Sequence, residues 1–218
     1  MKKLIKLIIP ICTVLLFSTC FLDDDFNGSG IIESETRTLD DFQNIDIAGV
    51  IKVNISFGTT QSVTVTADDN IINKVNTEVT QNTLFIDLDK GDYHDITVII
   101  NVVIPQLNKL TNSGVTTSTV SNFDNIDILE VNNSGVGSLD LDGSARKLIL
   151  HSSGVGTLNG FSFVVDTCQI NHSGVGNVRI TVNDLLSGTL SGVGNIYCKG
   201  DPKIEVTQTG VGNIINSN

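Results

Sequence analysis

The chain has 218 residues, of which 20 are glycine and none is tryptophan, and its formal net charge is −11. That length is enough for one or two domains with a real core. A strongly acidic protein repels phosphate backbones, so we do not expect nucleic acid as a partner. The abundance of Val, Ile, Thr, Asn and Gly favours strands and turns over helices.

Residues 1–19 have the features of a secretory signal peptide. Lys2, Lys3 and Lys6 make the start positive, and residues 7–17 are predominantly apolar. This apolar run is about half of the ~20 residues that a membrane-spanning helix needs. Removal of residues 1–19 takes away three lysines and no acids, which lowers the net charge from −11 to about −14.

Cys20 directly follows Ser18 and Thr19, two small residues at the end of the apolar run. This arrangement resembles a lipobox, in which the cysteine thiol takes the lipid and becomes the new N-terminus. Two residues depart from the lipobox pattern: Phe17 stands where Leu is usual, and Thr19 stands where Gly or Ala is usual. We predict that Cys20 is lipidated, that residues 20–30 form an acidic linker, and that the folded part begins near Ile31. A plain signal peptide without lipid is the alternative.

Residues 31–108 contain several short runs in which apolar and polar residues alternate, the pattern of half-buried strands. The runs lie at 45–47, 51–55, 63–65, 84–88 and 96–100, and residues 69–75 suit a short helical turn. We predict a strand-rich layer that is continuous with the second half of the chain and caps its first coil. A separate domain is the alternative, although no linker marks it.

A short glycine phrase recurs through residues 109–218. Its first glycines are Gly114, Gly135, Gly154, Gly174, Gly192 and Gly210. They are spaced by 21, 19, 20, 18 and 18 residues, and most copies read Ser-Gly-Val-Gly. So steady a period marks stacked structural units.

Positions counted from the first glycine of each phrase indicate which residues stack. Apolar residues recur at −6, −4, +4 and +6, a period of two that indicates strands. Val occupies +1 in all six copies. The paired glycines are expected at corners, where positive φ or close backbone approach excludes a side chain. We expect valine to stack on valine and leucine on leucine, about 4.8 Å apart, in one continuous core.

The sequence therefore predicts an all-β fold. Residues 109–218 form a parallel β-solenoid of 18–21 residues per coil, and residues 31–108 form its strand-rich N-terminal cap layer. The alternative is an antiparallel meander with a Gly-rich hairpin about every 20 residues. The solenoid is favoured because equivalent columns stay in register from coil to coil.

The ordered series of motifs resembles the putative auto-transporter adhesin family, the head GIN domain proteins of bacteria. The matching segments before and after the phrases are DFQNI (41–45), AGV (48–50), VTADDN (65–70), NTL (82–84), IP (104–105) and YCKGDP (197–202). The resemblance runs from about residue 31 to the end. It implies an all-β repetitive fold, an exported lipoprotein and an adhesive role, and it brings no catalytic residues. Val after the first glycine, where the family often has Ser, Ala or Thr, is a departure.

Nucleophiles and metal ligands do not recur in a usable arrangement. The serines that precede a phrase glycine are Ser134, Ser153, Ser173 and Ser191. No His or acid stands at a fixed offset to activate them, so we expect them to form corner hydrogen bonds. The histidines are His94, His151 and His172, which lie in unrelated contexts, so we predict no metal site.

Cys168 lies at −6 and Cys198 at +6, about one and a half coils apart. A disulfide needs Cα atoms within about 7 Å, so we expect two small core hydrophobes instead. A glycosidase needs two facing carboxylates. The aspartates of the second half are Asp140, Asp142, Asp166, Asp184 and Asp201, which do not share one column. We therefore predict no enzyme activity and no cofactor.

The predicted function is that of an exported outer-membrane lipoprotein, facing the cell surface or the periplasm, that serves adhesion or scaffolding. Its expected partners are the outer membrane, through the lipid, and surface glycans or envelope proteins. The alternative is a carbohydrate or envelope-polymer binder in which Tyr93, Tyr197 and side-chain amides are the contacts. A polysaccharide-degrading enzyme on a β-helix is less favoured, because fold analogy alone does not confer activity.

Overall fold

The computed structural model describes residues 24–218. The predicted signal peptide and the lipidation site Cys20 lie outside the described residues. Within them, every regular element is a β-strand except one 3-10 turn, and no helix has the length and apolar character needed to cross a membrane. The all-β prediction is confirmed: the chain forms a β-solenoid of about five turns with additional N-terminal strands.

The first half forms nine strands and the 3-10 turn Ile72–Lys74. The strands are β1 (Asp25–Asn27), β2 (Ile32–Arg37), β3 (Asn44–Ile47), β4 (Val50–Phe57), β5 (Ser62–Asp68), β6 (Val75–Thr80), β7 (Thr83–Leu88), β8 (Asp92–His94) and β9 (Val98–Ile104). β3 and β4 pair in parallel with the first strands of the second half, so the two halves share one sheet. β7 and β6 extend the sheet beyond β3, and β9, β5 and β2 extend it beyond β4.

The second half supplies the coils. Its strands are β10 (Lys109–Asn112), β11 (Val115–Asn133), β12 (Val136–Ser152), β13 (Val155–His172), β14 (Val178–Leu190), β15 (Ile196–Lys199), β16 (Lys203–Gln208) and β17 (Ile214–Asn216). All pairings among them are parallel, and the predicted columns are in register, with Leu148 opposite Cys168 and Cys168 opposite Leu186. The parallel solenoid is confirmed and the antiparallel meander is excluded.

Each coil has two flat faces and a third side. The first face carries the inward positions −6 and −4, the glycine phrase forms the corner, and the second face carries +4 and +6. The third side, residues 121–128, 142–147, 161–167 and 181–185, then completes the coil. The register shifts between coils fall in it or directly beside it. Differences in coil length are absorbed there, so the corner stays in register.

The two glycines of each phrase are required for different physical reasons. A Cβ added at Gly174 would overlap the carbonyl oxygen of Gly154 in the preceding coil. Gly176 has a φ of +141°, which L side chains rarely adopt, and a Cβ there would overlap the carbonyl oxygen of Gly156. The predicted role of paired glycines in the corners is confirmed.

The prediction that the phrase valines enter the core is wrong. They stack valine on valine in register, but each is about half exposed, from 49% for Val136 to 71% for Val211. In the coils, the −6, −4, +4 and +6 columns point into the core instead, where Leu148 and Ile170 are 0% exposed. Alternate residues of a strand point to opposite faces, and because the inward offsets are even, +1 points outward.

The N-terminal linker is shorter than predicted, because residues 25–30 belong to the fold. β1 pairs in parallel with β8, and the ring of Phe26 lies 5.2 Å from the ring of Tyr93, centroid to centroid. The Lys74 ammonium lies 4.1 Å from the centre of the Phe26 ring. Gly30 donates its N–H to the buried Asp68 carboxylate at 2.7 Å. The composition of this segment, acidic and containing Gly and Ser, is typical of a linker, but its one aromatic residue, Phe26, packs against the fold.

Candidate functional site

The most regular feature of the surface is a row of seven stacked valines, which we call the valine ridge. It consists of Val50, Val115, Val136, Val155, Val175, Val193 and Val211. Six steps of about 4.8 Å make the ridge about 29 Å long. Its side chains are 49–71% exposed. The corner therefore presents a continuous apolar row along the whole solenoid.

The ridge is flanked on both sides by columns of uncharged side chains. The −1 column contains Ser113, Ser134, Ser153, Ser173, Ser191 and Thr209, and the +3 column contains Thr117, Ser138, Thr157, Asn177, Asn195 and Asn213. Asn177 Oδ1 accepts the N–H of Asn195 at 2.9 Å, and Asn195 Oδ1 accepts that of Asn213 at 2.9 Å. From −3 to +3 around the six phrases there is no Asp, Glu, Lys or Arg, although the chain has 37 of these residues.

Charged side chains concentrate on the third side, across the coil from the ridge. They include Asp124, Asp127, Asp142, Arg146, Lys147, Asp166 and Asp184. Arg146 Nε donates to Asp127 Oδ1 at 2.6 Å, and this hydrogen bond together with the Arg146 charge lowers the pKa of Asp127. Both side chains are exposed, so the pair contributes little to stability. The third side thus keeps charge away from the ridge.

The two ends of the valine ridge differ in shape. At its first end, beside residues 96–99 at the start of β9, lies a mainly apolar recess of about 430 Å³, which we call the end recess. Its lining includes the apolar side chains of Val50, Ile96, Val98 and Val115, together with Lys52 and the hydroxyl-bearing residues Thr97, Thr116 and Thr117. At the last end, Val211 protrudes, with 71% of its surface exposed.

A second depression, the aromatic groove, lies where the N-terminal strands meet the third side. It measures about 430 Å³, and its lining includes Phe57, Gln106, Asn108 and Asp124. Phe57 is 46% exposed, and its ring contacts that of Phe123 edge to face at 6.0 Å. The groove combines an aromatic surface with amide and carboxylate groups.

The candidate serines lie on the flank of the ridge, away from any base. Ser134 Oγ donates to the carbonyl oxygen of Asn112 at 3.3 Å, a corner hydrogen bond of the predicted kind. His172 precedes Ser173 in the chain, but its ring points inward, is 1% exposed and places Nε2 3.1 Å from the Gly176 carbonyl oxygen. Burial lowers the pKa of His172, so the ring is neutral at pH 7. Ser173 points outward and gains no general base from it.

The other histidines lie in separate places. His94 Nε2 is 3.3 Å from Asp25 Oδ1 in the N-terminal strands, whereas His151 Nδ1 lies 3.3 Å from the Asn171 amide on the first face. Within residues 24–218, no three His, Cys, Asp or Glu side chains are grouped so that they could hold a metal ion.

Cys168 and Cys198 are free thiols in the core, 0% and 3% exposed. Burial, and to a smaller extent the negative charge of a Cys198 thiolate, raises the pKa of Cys168 to about 12. Burial also raises the pKa of Cys198. Both side chains fill positions that carry Leu or Ile in neighbouring coils.

The two tyrosines named as sugar contacts are not brought together. Tyr93 lies in β8, where its hydroxyl donates to the Asp89 carbonyl oxygen at 2.8 Å. Tyr197 lies in β15 near the last end, where the Arg179 guanidinium is 5.2 Å from its ring centre. The two tyrosines thus lie in different strands with separate contacts, and glycan binding through them stays a prediction.

Comparison with protein-family models matches residues 41–202 to the family described as "Putative auto-transporter adhesin, head GIN domain". The chain belongs to this family. A crystal structure of a putative adhesin from Bacteroides fragilis NCTC 9343 has the same fold as this head GIN domain, with a TM-score of 0.70 and 25% identity. The match covers 88% of this chain and all of the Bacteroides chain.

Weaker structural matches occur in Parabacteroides. A putative lipid binding protein from Parabacteroides distasonis ATCC 8503 is 17% identical, with a TM-score of 0.50, and a putative adhesin from Parabacteroides merdae ATCC 43184 is 21% identical, with a TM-score of 0.48. Each match covers 88% of this chain and all of the other chain. The Parabacteroides distasonis structure shares the fold of this head GIN domain. A comparison with curated proteins found no match.

Proposed function

We propose that this head GIN domain protein is an exported envelope lipoprotein, anchored through Cys20, with an adhesive or scaffolding role and no catalytic role. The observation that carries the proposal is the valine ridge, a continuous, uncharged and half-exposed apolar surface along the solenoid. Contiguous exposed apolar surface on a soluble domain marks a site of interaction. A solenoid presents such a surface over a long distance with a short sequence.

The entry of the chain into the fold supports anchoring at the first end. Residue 24 leads directly into β1, which pairs with β8, and Thr97, three residues after β8, lines the end recess. The buried Asp68 carboxylate fixes this region, since it accepts the N–H groups of Gly30 and Thr97, both at 2.7 Å. A lipid on Cys20 would therefore hold the first end near the membrane, with the ridge running away from it.

The surroundings of the recurring serines support a non-catalytic role. Each phrase serine lies beside glycine and the valine ridge, within the part of the coil that has no acid or cation. A serine nucleophile needs a neighbouring base, and that base needs a group that orients it. His172 is held inside the core instead.

The anchor is tested by metabolic labelling of the full chain with a fatty-acid analogue. The wild type should incorporate the label, and Cys20→Ala should not. Cys12→Ala is the matched control, because Cys12 lies within the predicted signal peptide and should leave labelling unchanged. Equal labelling of wild type and Cys20→Ala would exclude the anchor.

The adhesive role is tested with a strain that lacks this protein. Loss of the protein should reduce cell–cell aggregation or attachment to a surface, and the full chain should restore it. Unchanged aggregation and attachment would contradict the adhesive role.

The aromatic groove supports glycan binding as a second candidate function. Exposed Phe57 offers a ring for stacking against a sugar, and Gln106, Asn108 and Asp124 offer polar groups for its hydroxyls. Binding to a glycan array should be lost in Phe57→Ala and kept in Phe85→Ala, a comparably exposed phenylalanine outside the groove (46% against 42%). Equal binding by both variants would exclude the groove as the glycan site.

A further inference from the structure

We propose that the valine ridge binds the valine ridge of a second copy of this chain in antiparallel orientation, a proposal that rests on the adhesive role above and names its partner. The two ridges would lie side by side with their valines interdigitated. The pair would be closed by a two-fold axis, which the commonest kind of homo-oligomer uses.

The spacing of the ridge makes a second copy a matching surface. Its valines repeat about every 4.8 Å because they lie on successive coils of one parallel sheet. A second copy repeats at the same interval, so every valine of one ridge meets a gap of the other along the full ~29 Å. A partner without this repeat would match only a few of the seven valines.

The distribution of charge also favours this contact. Two copies without residues 1–19, each with a net charge of about −14, repel one another over most of their surface. The corner is the exception, since the six phrases carry no charge from −3 to +3. Only the first rung does, with Asp46 at −3 and Lys52 at +3. Ridge-to-ridge contact also directs the two charged third sides away from each other.

The unlike ends of the ridge favour the antiparallel orientation. In an antiparallel pair, Val211 of one copy lies at the first end of the other, where the end recess is lined by Val50 and Val115. The two-fold axis produces this contact twice. A parallel pair would oppose the two Val211 side chains and leave both recesses unfilled. Antiparallel copies also direct their N-terminal ends in opposite directions, as copies carried by two facing surfaces would.

The presence of valine at every ridge position supports an apolar contact. All seven rungs have valine, while the columns on either side contain Ser, Thr and Asn, with Ala48 and Lys52 in the first rung. Threonine has the same branched shape and would stack equally well between coils. Stacking within one copy therefore does not require valine, whereas burial against a second copy does.

The area of the ridge predicts a weak pair in dilute solution. From −1 to +3 the corner contains five residues and spans four residue steps, about 13 Å, which gives roughly 380 Å² per copy. Stable interfaces bury about 800 Å² per partner. The pair therefore forms at high concentration, such as that of many copies displayed on each of two facing surfaces, where linkage raises the effective concentration.

Disulfide cross-linking of the full chain on intact cells tests the geometry. Val155→Cys, the central rung, should form dimers on mild oxidation. Val211→Cys alone should not, because the two Val211 positions lie about 29 Å apart in the antiparallel pair. Cells carrying Val50→Cys mixed with cells carrying Val211→Cys should form dimers. Val164→Cys on the third side, 38% exposed, is the control for random collision.

Two cross-linking results would overturn the proposal. One is a dimer yield for Val155→Cys no higher than for Val164→Cys. The other is dimer formation by Val211→Cys alone, which would show a parallel pair. The native cysteines Cys168 and Cys198 are buried and common to all variants, so they do not affect the comparison.

Sedimentation of the purified exported protein tests the chemistry of the contact. The wild type should dimerise with a dissociation constant of roughly 0.1–1 mM, and Val136→Thr/Val155→Thr/Val175→Thr should weaken it at least about tenfold. Val164→Thr should leave it unchanged, and circular dichroism should show all variants folded. Equal association of the triple variant and the wild type would overturn the proposal.

The aggregation assay separates this proposal from the adhesive role. If the wild-type chain restores aggregation and the folded triple variant restores it equally, ridge pairing is wrong and the adhesive role stands. If the wild-type chain restores nothing, the adhesive role fails, whatever the cross-links show.

Discussion

Replacing a corner glycine by alanine should destabilise the solenoid through two separable effects, an unfavourable positive φ and steric overlap of the added Cβ with the preceding coil. Gly176 combines a φ of +141° with overlap between an added Cβ and the Gly156 carbonyl oxygen. Gly174 has a comparable overlap without the positive φ, and Gly30 has a φ of +77° with nothing within 4 Å of an added Cβ. Gly30 therefore isolates the conformational effect, Gly174 isolates the steric effect, and Gly176 combines the two.

The expected magnitudes follow from these two effects. A non-glycine residue in a glycine-only conformation costs about 1–3 kcal/mol. Forcing an atom into a packed site costs about 1–3 kcal/mol. We expect Gly30→Ala and Gly174→Ala to lower the free energy of unfolding by about 1–3 kcal/mol each, and Gly176→Ala by about 2–6 kcal/mol. For a chain of this size the last value lowers Tm by about 4–24 °C.

Thermal unfolding followed by circular dichroism measures these differences in the full chain. The expected order of Tm places Gly176→Ala below both other variants. If Gly176→Ala unfolded at the same temperature as Gly30→Ala, the corner would have room for a side chain. The close approach of successive coils at the phrase would then not explain why both glycines recur.

Three further predictions concern the core and the N-terminal anchor. Because burial lowers the pKa of His172 below its usual 6.5, the unfolded chain binds this proton more tightly, and the free energy of unfolding falls as pH drops below about 6.5. His172→Leu, which copies Leu190 in the next coil, should reduce the loss of stability in urea between about pH 7.5 and 5.5; an unchanged loss would assign it to other groups. Native Cys168 and Cys198 should resist alkylation near pH 8, because burial raises both pKa values, and peptide mass spectrometry should detect labelling only after unfolding; rapid native labelling would contradict their burial. Asp68→Ala should leave two backbone N–H groups unpaired, at about 1–3 kcal/mol each, and make residues 24–30 sensitive to protease; unchanged cleavage would show that this carboxylate does not hold the segment.

The stacking of the coils could be predicted because it depends on columns that the sequence repeats. Leu148, Cys168 and Leu186 occupy one offset from the phrase, and they lie opposite one another in the core. Parallel in-register strands place equal offsets on top of each other, so counting residues is enough to identify the partners. The corner glycines were predictable for the same reason.

The direction of the phrase valines was also contained in the sequence. The inward columns are at even offsets, and Val at +1 is odd, which by strand alternation points outward. The prediction that the valines enter the core did not apply this alternation across the glycine corner. The alternation in fact continues across the corner, since the valines are about half exposed.

Other parts of the surface depend on contacts that no local pattern records. The aromatic groove brings together Phe57, Gln106 and Phe123 from three distant segments. The end recess depends on how Ile96 and Val98 pass beside Val50. The sequence does not predict β1, because its three neighbouring aspartates are typical of a linker. The strand is held in the fold by one aromatic residue, Phe26, whose ring packs on that of Tyr93.

Register shifts are confined to one side of the coil, so that side should tolerate insertions that other parts of the coil do not. A peptide inserted at 142–147 would bulge outward from that side and leave the interval between successive valines as it is. A single residue added between 130 and 140 would make the inward side chains of that strand point to solvent and the outward ones point into the core, because it exchanges the two faces of a strand. Loop grafts, epitope tags and natural length variation should therefore accumulate on the charged side, while the opposite edge keeps a constant step.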